Sequence, residues 1–338
     1  MNTLHYIVRL TPVGCYFFGG EVTFGEGGKQ NYYVKSNLLP QASSLLGLMR
    51  YEVLRQRGKL SYSKDDLTLR EVEALIGQQG FSVNHKIESY GIIQGISPVF
   101  IEDQSEQRFY TRMPLDEGID FKYDEDIECS FSSSCNQRYG VSLKGYDYKN
   151  YSNYKYWISG DLHKIDEDSI FYDKEQIGIT KNGRKQNEQD AFFKMVTVGL
   201  KSGYNFVFTF EVSQEINEVA DEIVFLGGNR SAFRMSITRF ADGPDFFCRY
   251  FSGLHKEGRW LLLSDAFFTD EERNRIPFFW ATSICNRYIL TSHKKGHSWR
   301  LPEKTDLYYL LSRGGVIYTD EALQSDLHLN HVGLNIFV

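Results

Sequence analysis

Residues 37–50, NLLPQASSLLGLMR, place the strongest local constraint on the fold, because a proline-led extended stretch runs directly into an amphipathic helix. Pro40 disfavours the helical conformation at the residue before it, so the chain should arrive extended. Ser43 or Ser44 should then cap the first turn of the helix. Five apolar residues recur at three- and four-residue spacing and should form its buried face: Ala42, Leu45, Leu46, Met49 and Val53.

Glycines mark features inside and at the ends of the predicted helices. Gly47 lies inside the first helix, where glycine costs about 1 kcal/mol relative to alanine. This cost indicates close packing on a strand or close approach of another backbone, of protein or nucleic acid. Gly58 should end the helix. A second helix is predicted over residues 68–76, with a capping box that starts at Thr68 and with Gly77 as its end.

Alternating apolar residues predict strands along much of the chain. The first covers residues 4–10, and residues 91–101 form a strand broken or bulged at Pro98. Residues 192–200 and 204–212 should pair as a hairpin. A glycine-rich hairpin arm is expected at 19–28, a short helix at 217–224, and further strands at 233–238, 260–263, 288–292, 307–311, 316–318 and 332–338.

The order of these elements predicts the fold class. Strands outnumber helices, and the order strand, helix, paired strands, helix, strand can be followed twice. We therefore expect an α+β protein of two tandem ferredoxin-like (RRM-like) domains, residues 1–200 and 201–338 of the 338-residue chain. Residues 116–190 are polar, tyrosine-rich and irregular, so we interpret them as an insertion in the first domain.

Composition limits the compartment and the mode of any nucleic-acid binding. No apolar run is long enough to span a membrane, and the first ten residues lack a signal-peptide pattern, so we expect a cytoplasmic protein without a membrane partner. Five scattered cysteines without a CxxC pair favour reduced thiols. A formal charge of −6 argues against a freestanding, nonspecific nucleic-acid binder, so any RNA contact should be local.

The sequence offers no convincing catalytic or metal-binding constellation. His293 and His297 are four residues apart, but Gly296 and the neighbouring charges favour a loop over a helix that would align the imidazoles. The segment GEGGKQ at residues 25–30 lacks the first glycine and the final hydroxyl of a phosphate-binding loop. The acidic residues between 265 and 272 do not form a recognisable paired-carboxylate motif. We therefore expect no catalytic residue, no metal and no cofactor.

Several motifs, taken in order, resemble those of the RAMP superfamily, the repeat-associated RNA-binding proteins of CRISPR systems. More narrowly, the chain resembles the third Cmr subunits of type III-B effector complexes. The resemblance covers most of the chain and rests on TPVGCYFFGG, NLLPQASSLLGLMR, GIIQGISPVFI with TRMPLD, IGIT followed by AFFKMVTVGL, LGGNR, and SRGGVIY. Single glycine turns are common, but this ordered combination is specific.

The resemblance implies a noncatalytic subunit of an antiviral ribonucleoprotein. Members of this group hold the 5′ handle of the guide RNA (crRNA), dock the large polymerase-like subunit against the backbone RAMP subunits, and meet target RNA only indirectly. Two related alternatives remain: the handle-capping subunit of a type III-A complex, and a RAMP endoribonuclease that uses His293 or His297 as a general acid or base. A metabolic enzyme on a ferredoxin-like scaffold would instead need a deep small-molecule pocket.

Three regions are candidates for RNA contact. The start of the first helix can receive a phosphate, the double-glycine turn exposes backbone amides beside an arginine, and the late segment SHKKGHSWR is basic. A turn into the next strand and a solvated basic loop are the alternatives for the last two. The candidate residues are Gln41, Ser43, Ser44, Gly47, Arg50, Gly227, Gly228, Asn229, Arg230, Lys294, Lys295, His297 and Arg300.

A tyrosine-rich stretch at residues 138–157 interleaves lysines with aromatic side chains. Such a mixture suits a protein interface, base stacking on RNA, or a loosely ordered insertion. We assign it to a protein interface, with the candidate residues Tyr146, Tyr148, Tyr151, Tyr154, Tyr156 and Trp157.

Overall fold

The computed structural model describes residues 3–19, 33–60, 66–78, 80–84, 89–118, 153–181, 187–228, 230–243, 245–290, 303–319, 323 and 327–338. The helices within these ranges are α1 (Ala42–Gln56), α2 (Asp66–Ile76), α3 (Glu167–Ile170), α4 (Phe246–Tyr250), α5 (Asp270–Arg275) and α6 (Leu327–Asn330). The strands are β1 (Leu4–Pro12), β2 (Tyr33–Lys35), β3 (Ile93–Ile96), β4 (Phe100–Asp103), β5 (Arg108–Arg112), β6 (Tyr156–Ser159), β7 (Lys164–Asp166), β8 (Phe171–Lys181), β9 (Asn187–Leu200), β10 (Tyr204–Val212), β11 (Val219–Phe225), β12 (Ala232–Arg239), β13 (Arg259–Leu261), β14 (Phe278–Trp280), β15 (Ser283–Asn286), β16 (Ile289–Leu290), β17 (Glu303–Lys304), β18 (Tyr308–Leu311) and β19 (Val316–Tyr318).

One antiparallel sheet dominates the structure, which agrees with the predicted α+β class. Its strand order is β11-β12-β1-β10-β4-β5-β6-β7, and β3 also pairs with β10. The four central strands β12, β1, β10 and β4 stand in the fourth-first-third-second order of a ferredoxin-like sheet, with α1 and α2 in the first crossover. In the second crossover of this order, β11 stands where that motif has a helix.

The predicted tandem repeat of this arrangement is not confirmed. After β12, the described strands form small sheets: β13-β19-β14, β15-β18 and β16-β17. The main sheet contains strands from both sides of the boundary predicted at residues 200 and 201, so that boundary does not separate two sheets. Within the predicted insertion, residues 119–152 lie outside the described residues, but β6 and β7 extend the main sheet and β8 pairs with β9. The C-terminal part of that segment is therefore regular.

Strand β10 is buried on both faces, which differs from the half-polar strand that its alternation predicts. Phe206, Phe208 and Phe210 pack in the core under α1, as expected. On the opposite face, Val207 packs in a second core with Phe100, and the intervening Asn205 and Thr209 side chains are buried too. Central strands covered on both faces lose the simple alternation of exposed and buried residues.

Helix α1 confirms the predicted apolar face but not the predicted cap. Leu45, Leu46, Met49 and Val53 are buried against the sheet, and Gly58 follows the helix with φ +67°. The helix begins one residue before Ser43, and Gln41 is its N-cap. Ser43 and Ser44 lie inside the first turn and do not cap it, since capping requires a non-helical backbone at the capping residue. Helix α2 likewise begins before Thr68, at Asp66.

Three other predictions of secondary structure are wrong. Strand β9 pairs antiparallel with β8 and parallel with β2, not with β10. Both edges of β10 are taken, one by β1 and the other by β3 and β4, so no edge remains for β9. Residues 219–225 form strand β11 where a helix was expected, and residues 332–338 make an isolated bridge from Leu262 to Phe337 instead of a strand. The expected break at Pro98 is confirmed, because it separates β3 from β4.

Among the described helices, none is both long and apolar enough to cross a lipid bilayer. Cys15, Cys248 and Cys285 are free thiols. The hairpin arm predicted at residues 19–28 falls almost entirely outside the described residues.

Candidate nucleic-acid interface

Residues 16–18, here called the bridge segment, join three parts of the chain that are far apart in sequence. Tyr16 forms a β-bridge with Val198, Phe17 with Gly228, and Phe18 with Asn37. The corresponding backbone hydrogen bonds run from Tyr16 N to Val198 O (2.7 Å), from Gly228 N to Phe17 O (2.7 Å) and from Asn37 N to Phe18 O (2.9 Å). The bridge segment is therefore hydrogen-bonded to the double-glycine turn through Phe17 and to the extended stretch that leads into α1 through Phe18.

Aromatic packing fixes the bridge segment on the sheet. The Tyr16 and Phe18 rings lie 4.5 Å apart, and the Phe18 ring is stacked on Phe233 of β12 at 5.8 Å between centroids. The Tyr16 hydroxyl donates to the Leu38 carbonyl at 2.8 Å. Since Tyr16 and Phe18 are buried, their contribution to the core holds the lead-in to α1 in one position.

The double-glycine turn is shaped by close approach of the bridge segment. Gly227 has φ +80°, and a Cβ placed there would lie 2.6 Å from the Phe17 carbonyl oxygen. A Cβ on Gly228 would lie 2.9 Å from the Phe17 ring. The Gly228 amide already donates to Phe17, so the expectation that it is free for an anion is wrong. Arg230, also with positive φ (49°), is exposed beside the turn and remains a candidate for a phosphate contact.

The N-terminus of α1 has no side-chain cap and no acidic residue in its first turn. Gln41, the N-cap residue, points its side chain away from the helix and donates from Nε2 to Asn286 Oδ1 at 2.9 Å. The first amides of a helix, together with the positive end of its dipole, favour an anion. Gln41 thus links the start of α1 to β15, and backbone amides of the first turn remain without a side-chain cap.

A cleft of about 460 Å³ opens beside this helix terminus. One wall is the stretch from Lys35 to Gln41, and the other walls come from the end of β5 and from residues near β15 and β18. The polar groups that the rest of the chain contributes to its lining are Arg112, Tyr154, Glu167, Asp265, Thr282, Ser312 and Arg313. Leu38, Leu39, Met113, Leu115 and Ile284 supply apolar surface.

The charges of the cleft are largely compensated. Arg112 donates to Glu167 and, at 2.6 Å, to the Tyr154 carbonyl, and its guanidinium lies 4.5 Å from the Trp157 ring centroid. Burial lowers the pKa of Arg112, while Glu167 and then Asp265 oppose this change. Burial also lowers the pKa of Arg313, whose side chain donates to the Val99 carbonyl. The cleft therefore offers paired donors and acceptors, and its excess positive charge is small.

Two candidate residues on α1 behave differently from expectation. Gly47 is exposed, and a Cβ placed there meets no atom within 4 Å, so close packing on a strand does not explain it. Arg50 points inward, with its guanidinium 5.5 Å from the Tyr90 ring centroid. Burial lowers the pKa of Arg50, and its Nε and Nη2 atoms are buried without a hydrogen-bond partner among the described residues. In this conformation Arg50 is not placed to contact a phosphate on the surface.

The described part of the tyrosine-rich stretch divides into exposed and buried side chains. Tyr154 is 52% exposed at the rim of the cleft. Tyr156 is half-buried, with the Lys164 ammonium 3.6 Å from its ring centroid. Trp157 is fully buried against Phe171, so its assignment to a protein interface is wrong. The physical reason is that β6 is an interior strand between β5 and β7, and Trp157 faces the core.

The remaining candidates lie outside the described residues: Asn229, Lys294, Lys295, His297, Arg300, Tyr146, Tyr148 and Tyr151. Sequence reasoning missed Arg112, Arg313 and Asp265 as cleft residues, although Arg112 and Arg313 occur in the motifs TRMPLD and SRGGVIY. Their position inside motifs that contain proline or glycine was the only signal for these two arginines. In the described part of the chain, no group of three or more potential metal ligands comes together.

A family model and two solved structures are similar to this chain. The family model described as CRISPR-associated protein (Cas_Cmr3) matches residues 8–277. A solved chain in a cryo-EM structure of the Type III-B Cmr-beta bound to cognate target RNA is similar at a TM-score of 0.51 and 12% identity, covering 98% of this chain and 96% of that chain. A second, from Type III-B Cmr-beta bound to cognate target RNA and AMPPnP, gives 0.49 and 12%, covering 93% and 86%. The first likeness shows a shared fold. No curated protein matches the chain in sequence.

Proposed function

The chain belongs to the CRISPR-associated protein (Cas_Cmr3) family, and on that premise we propose that it is a noncatalytic RNA-binding subunit of a type III-B Cmr antiviral effector complex. Within that complex it holds the 5′ handle of the guide RNA and docks the large polymerase-like subunit beside the backbone RAMP subunits. Target RNA is met only through the assembled complex.

One observation carries the proposal of handle binding. The bridge segment pairs with the double-glycine turn through Phe17 and with the lead-in to α1 through Phe18, although residues 17, 37 and 228 are far apart in the chain. The two elements that the bridge segment joins carry the uncapped start of α1, with its first-turn amides, and the exposed guanidinium of Arg230. Such groups bind phosphates without requiring a strongly basic protein.

The compensated cleft refines how a single-stranded handle would be held. Phosphates would be contacted by the first turn of α1 and by Arg230, whereas the cleft, with its paired Arg112 and Glu167, suits an uncharged group better than a phosphate. Because the chain has a formal charge of −6, RNA binding by the isolated protein should be weak and strongly dependent on salt. Most of the affinity for the assembly would come from protein interfaces.

The test compares an RNA that begins with the repeat-derived handle with the same RNA carrying a scrambled handle. Binding is measured with the purified chain and with the complex reconstituted from the neighbouring subunits. Arg230→Ala should weaken binding of the handle RNA about tenfold or more, because a charged hydrogen bond contributes roughly 1.5–3 kcal/mol. Arg275→Ala is the matched control, since Arg275 is 68% exposed on α5, away from the bridge segment.

Two results would contradict the proposal. Equal affinity for the two RNAs, both with the isolated chain and with the complex, would contradict the proposed recognition of the handle. Cleavage of repeat RNA that is lost on substitution of His293 or His297 would replace the noncatalytic assignment by that of a processing nuclease.

A further inference from the structure

One corner of the main sheet exposes large apolar side chains on the face opposite α1. Phe225 of β11 stands opposite Ala232 of β12, and the Val13 amide just beyond β1 donates to the Ala232 carbonyl at 3.0 Å. These residues form one row across three strands. In the next row on the same face, Ile223 of β11 stands opposite Arg234 of β12. We call Val13, Ile223 and Phe225 the corner patch.

The corner patch is more exposed than other apolar residues on this face. Phe225 is 62% exposed, Val13 56% and Ile223 50%. Further along the same face, α4 covers the sheet and buries Val207 and Phe100 completely. Helix α4 therefore does not cover the corner patch, and apolar side chains of adjacent strands are exposed to solvent there.

Ile223 and Phe225 of the corner patch lie on an edge strand. Among the described residues, β11 ends the strand order of the main sheet, and no described strand pairs with its outer backbone groups. Its register is irregular between Val219 and Glu222, but from Glu222 to Phe225 each residue pairs regularly with β12. Natural edge strands usually carry a lysine, a proline or a bulge as protection against pairing. The regular half of β11 instead exposes two large apolar residues.

Resting on the proposed role as a Cmr subunit, we propose that β11 and the corner patch dock a β-strand of a neighbouring protein subunit of the complex. The incoming strand pairs with the outer edge of β11 and places apolar side chains over Ile223 and Phe225. Main-chain hydrogen bonds supply affinity in this mode of recognition, and alternate side chains supply specificity.

The backbone edge of β11, and not charge, determines the class of partner. The acidic residues of β11 are matched by arginines: Asp221 pairs with Arg234 at 3.3 Å, and Glu222 pairs with Arg55 at 2.6 Å. Just before β11, Glu215 and Glu218 line a pocket together with Arg57 and Arg239. The regular main-chain donors and acceptors from Glu222 to Phe225, beside apolar side chains, match a protein strand and not a phosphate backbone.

The experiment measures assembly with the neighbouring subunits, using Phe225→Lys and Ile223→Lys. Each variant should weaken incorporation into the complex about tenfold or more, as expected for a central apolar contact. Leu162→Lys is the matched control, because Leu162 is 60% exposed in the turn between β6 and β7, at the other end of the sheet. All three variants should keep the wild-type unfolding curve, because the substituted side chains are on the surface.

A photo-crosslinking amino acid at position 225 identifies the occupant. A crosslink to a protein subunit supports the proposal, whereas a crosslink to RNA, or to a second copy of this chain, overturns it. Wild-type assembly by both lysine variants would also overturn it. Handle binding by the isolated chain separates this inference from the proposed function: neither variant should weaken it, and its loss with intact assembly would reassign the corner patch to RNA.

Discussion

The contact between the double-glycine turn and the bridge segment gives a quantitative prediction. In Gly227→Ala, the new Cβ would lie 2.6 Å from the Phe17 carbonyl oxygen and 2.8 Å from the Phe18 ring, at a backbone φ of +80°. The left-handed backbone alone costs roughly 1–2 kcal/mol for a residue with a Cβ. Relief of the overlap costs about 1–3 kcal/mol more, and loss of the hydrogen bond from Gly228 to Phe17 costs about 1 kcal/mol.

The free energy of unfolding in urea should therefore fall by about 3–6 kcal/mol in this variant, the sum of those three contributions. Gly58→Ala separates the cost of the left-handed backbone from the cost of the overlap, because Gly58 has φ +67° but a Cβ there meets no atom within 4 Å. This control should lose only the roughly 1–2 kcal/mol of the backbone term. Equal losses in the two variants would refute the reasoning, since they would show that the bridge segment does not constrain the turn.

Three further predictions concern other parts of the chain. Arg259→Met should lower the free energy of unfolding by about 3–5 kcal/mol, because it leaves the buried carboxylate of Asp116 without its ion-pair partner; urea unfolding with no measurable loss would contradict this. Burial, and then Asp245, raises the pKa of Glu211 above its ordinary value of 4.5, so the charged form destabilises the fold. Glu211→Gln should be more stable than wild type at pH 7, and the difference should shrink as pH falls through the raised pKa toward 4.5; a pH-independent difference in thermal unfolding would refute it. Gly47→Ala should stabilise α1 by about 1 kcal/mol in urea unfolding, and if RNA approaches this glycine, the same variant should bind handle RNA more weakly.

Local sequence patterns were sufficient to predict the elements whose buried face follows from their own spacing of apolar residues. The buried face of α1, strand β1, strand β12 and the break at Pro98 follow from spacing and from backbone restrictions, and the structure confirms them. These features depend on residues within one element. They can therefore be read without knowledge of the rest of the chain.

Pairing between distant strands could not be read in this way. The short connection between β9 and β10 favours a hairpin, yet β1 and β3 with β4 occupy both edges of β10. The choice among possible partners depends on the whole sheet and leaves no mark in a local window. The same limit applies to β11, which pairs with β12 although its sequence had suggested a helix.

The sequence indicated where the backbone is unusual but not which atoms are available. LGGNR has positive φ at Gly227 and Arg230, but the Gly228 amide is used within the protein, and Arg50 points inward. Trp157 shares its stretch with exposed Tyr154, and only the position of β6 inside the sheet shows that Trp157 is buried. Composition identifies a segment that can bind, whereas orientation decides which of its side chains are available.

The antiparallel pairing of the first strand with β10 has a consequence for biosynthesis. Leu4 is paired with Val212, so β1 cannot find this partner until more than half of the chain has left the ribosome. At about 5–20 residues per second, that interval is about 10–40 s. The sheet on which the bridge segment packs is therefore completed only late in translation. Shortened products that end before β10 lack this sheet and should fail to join the effector complex.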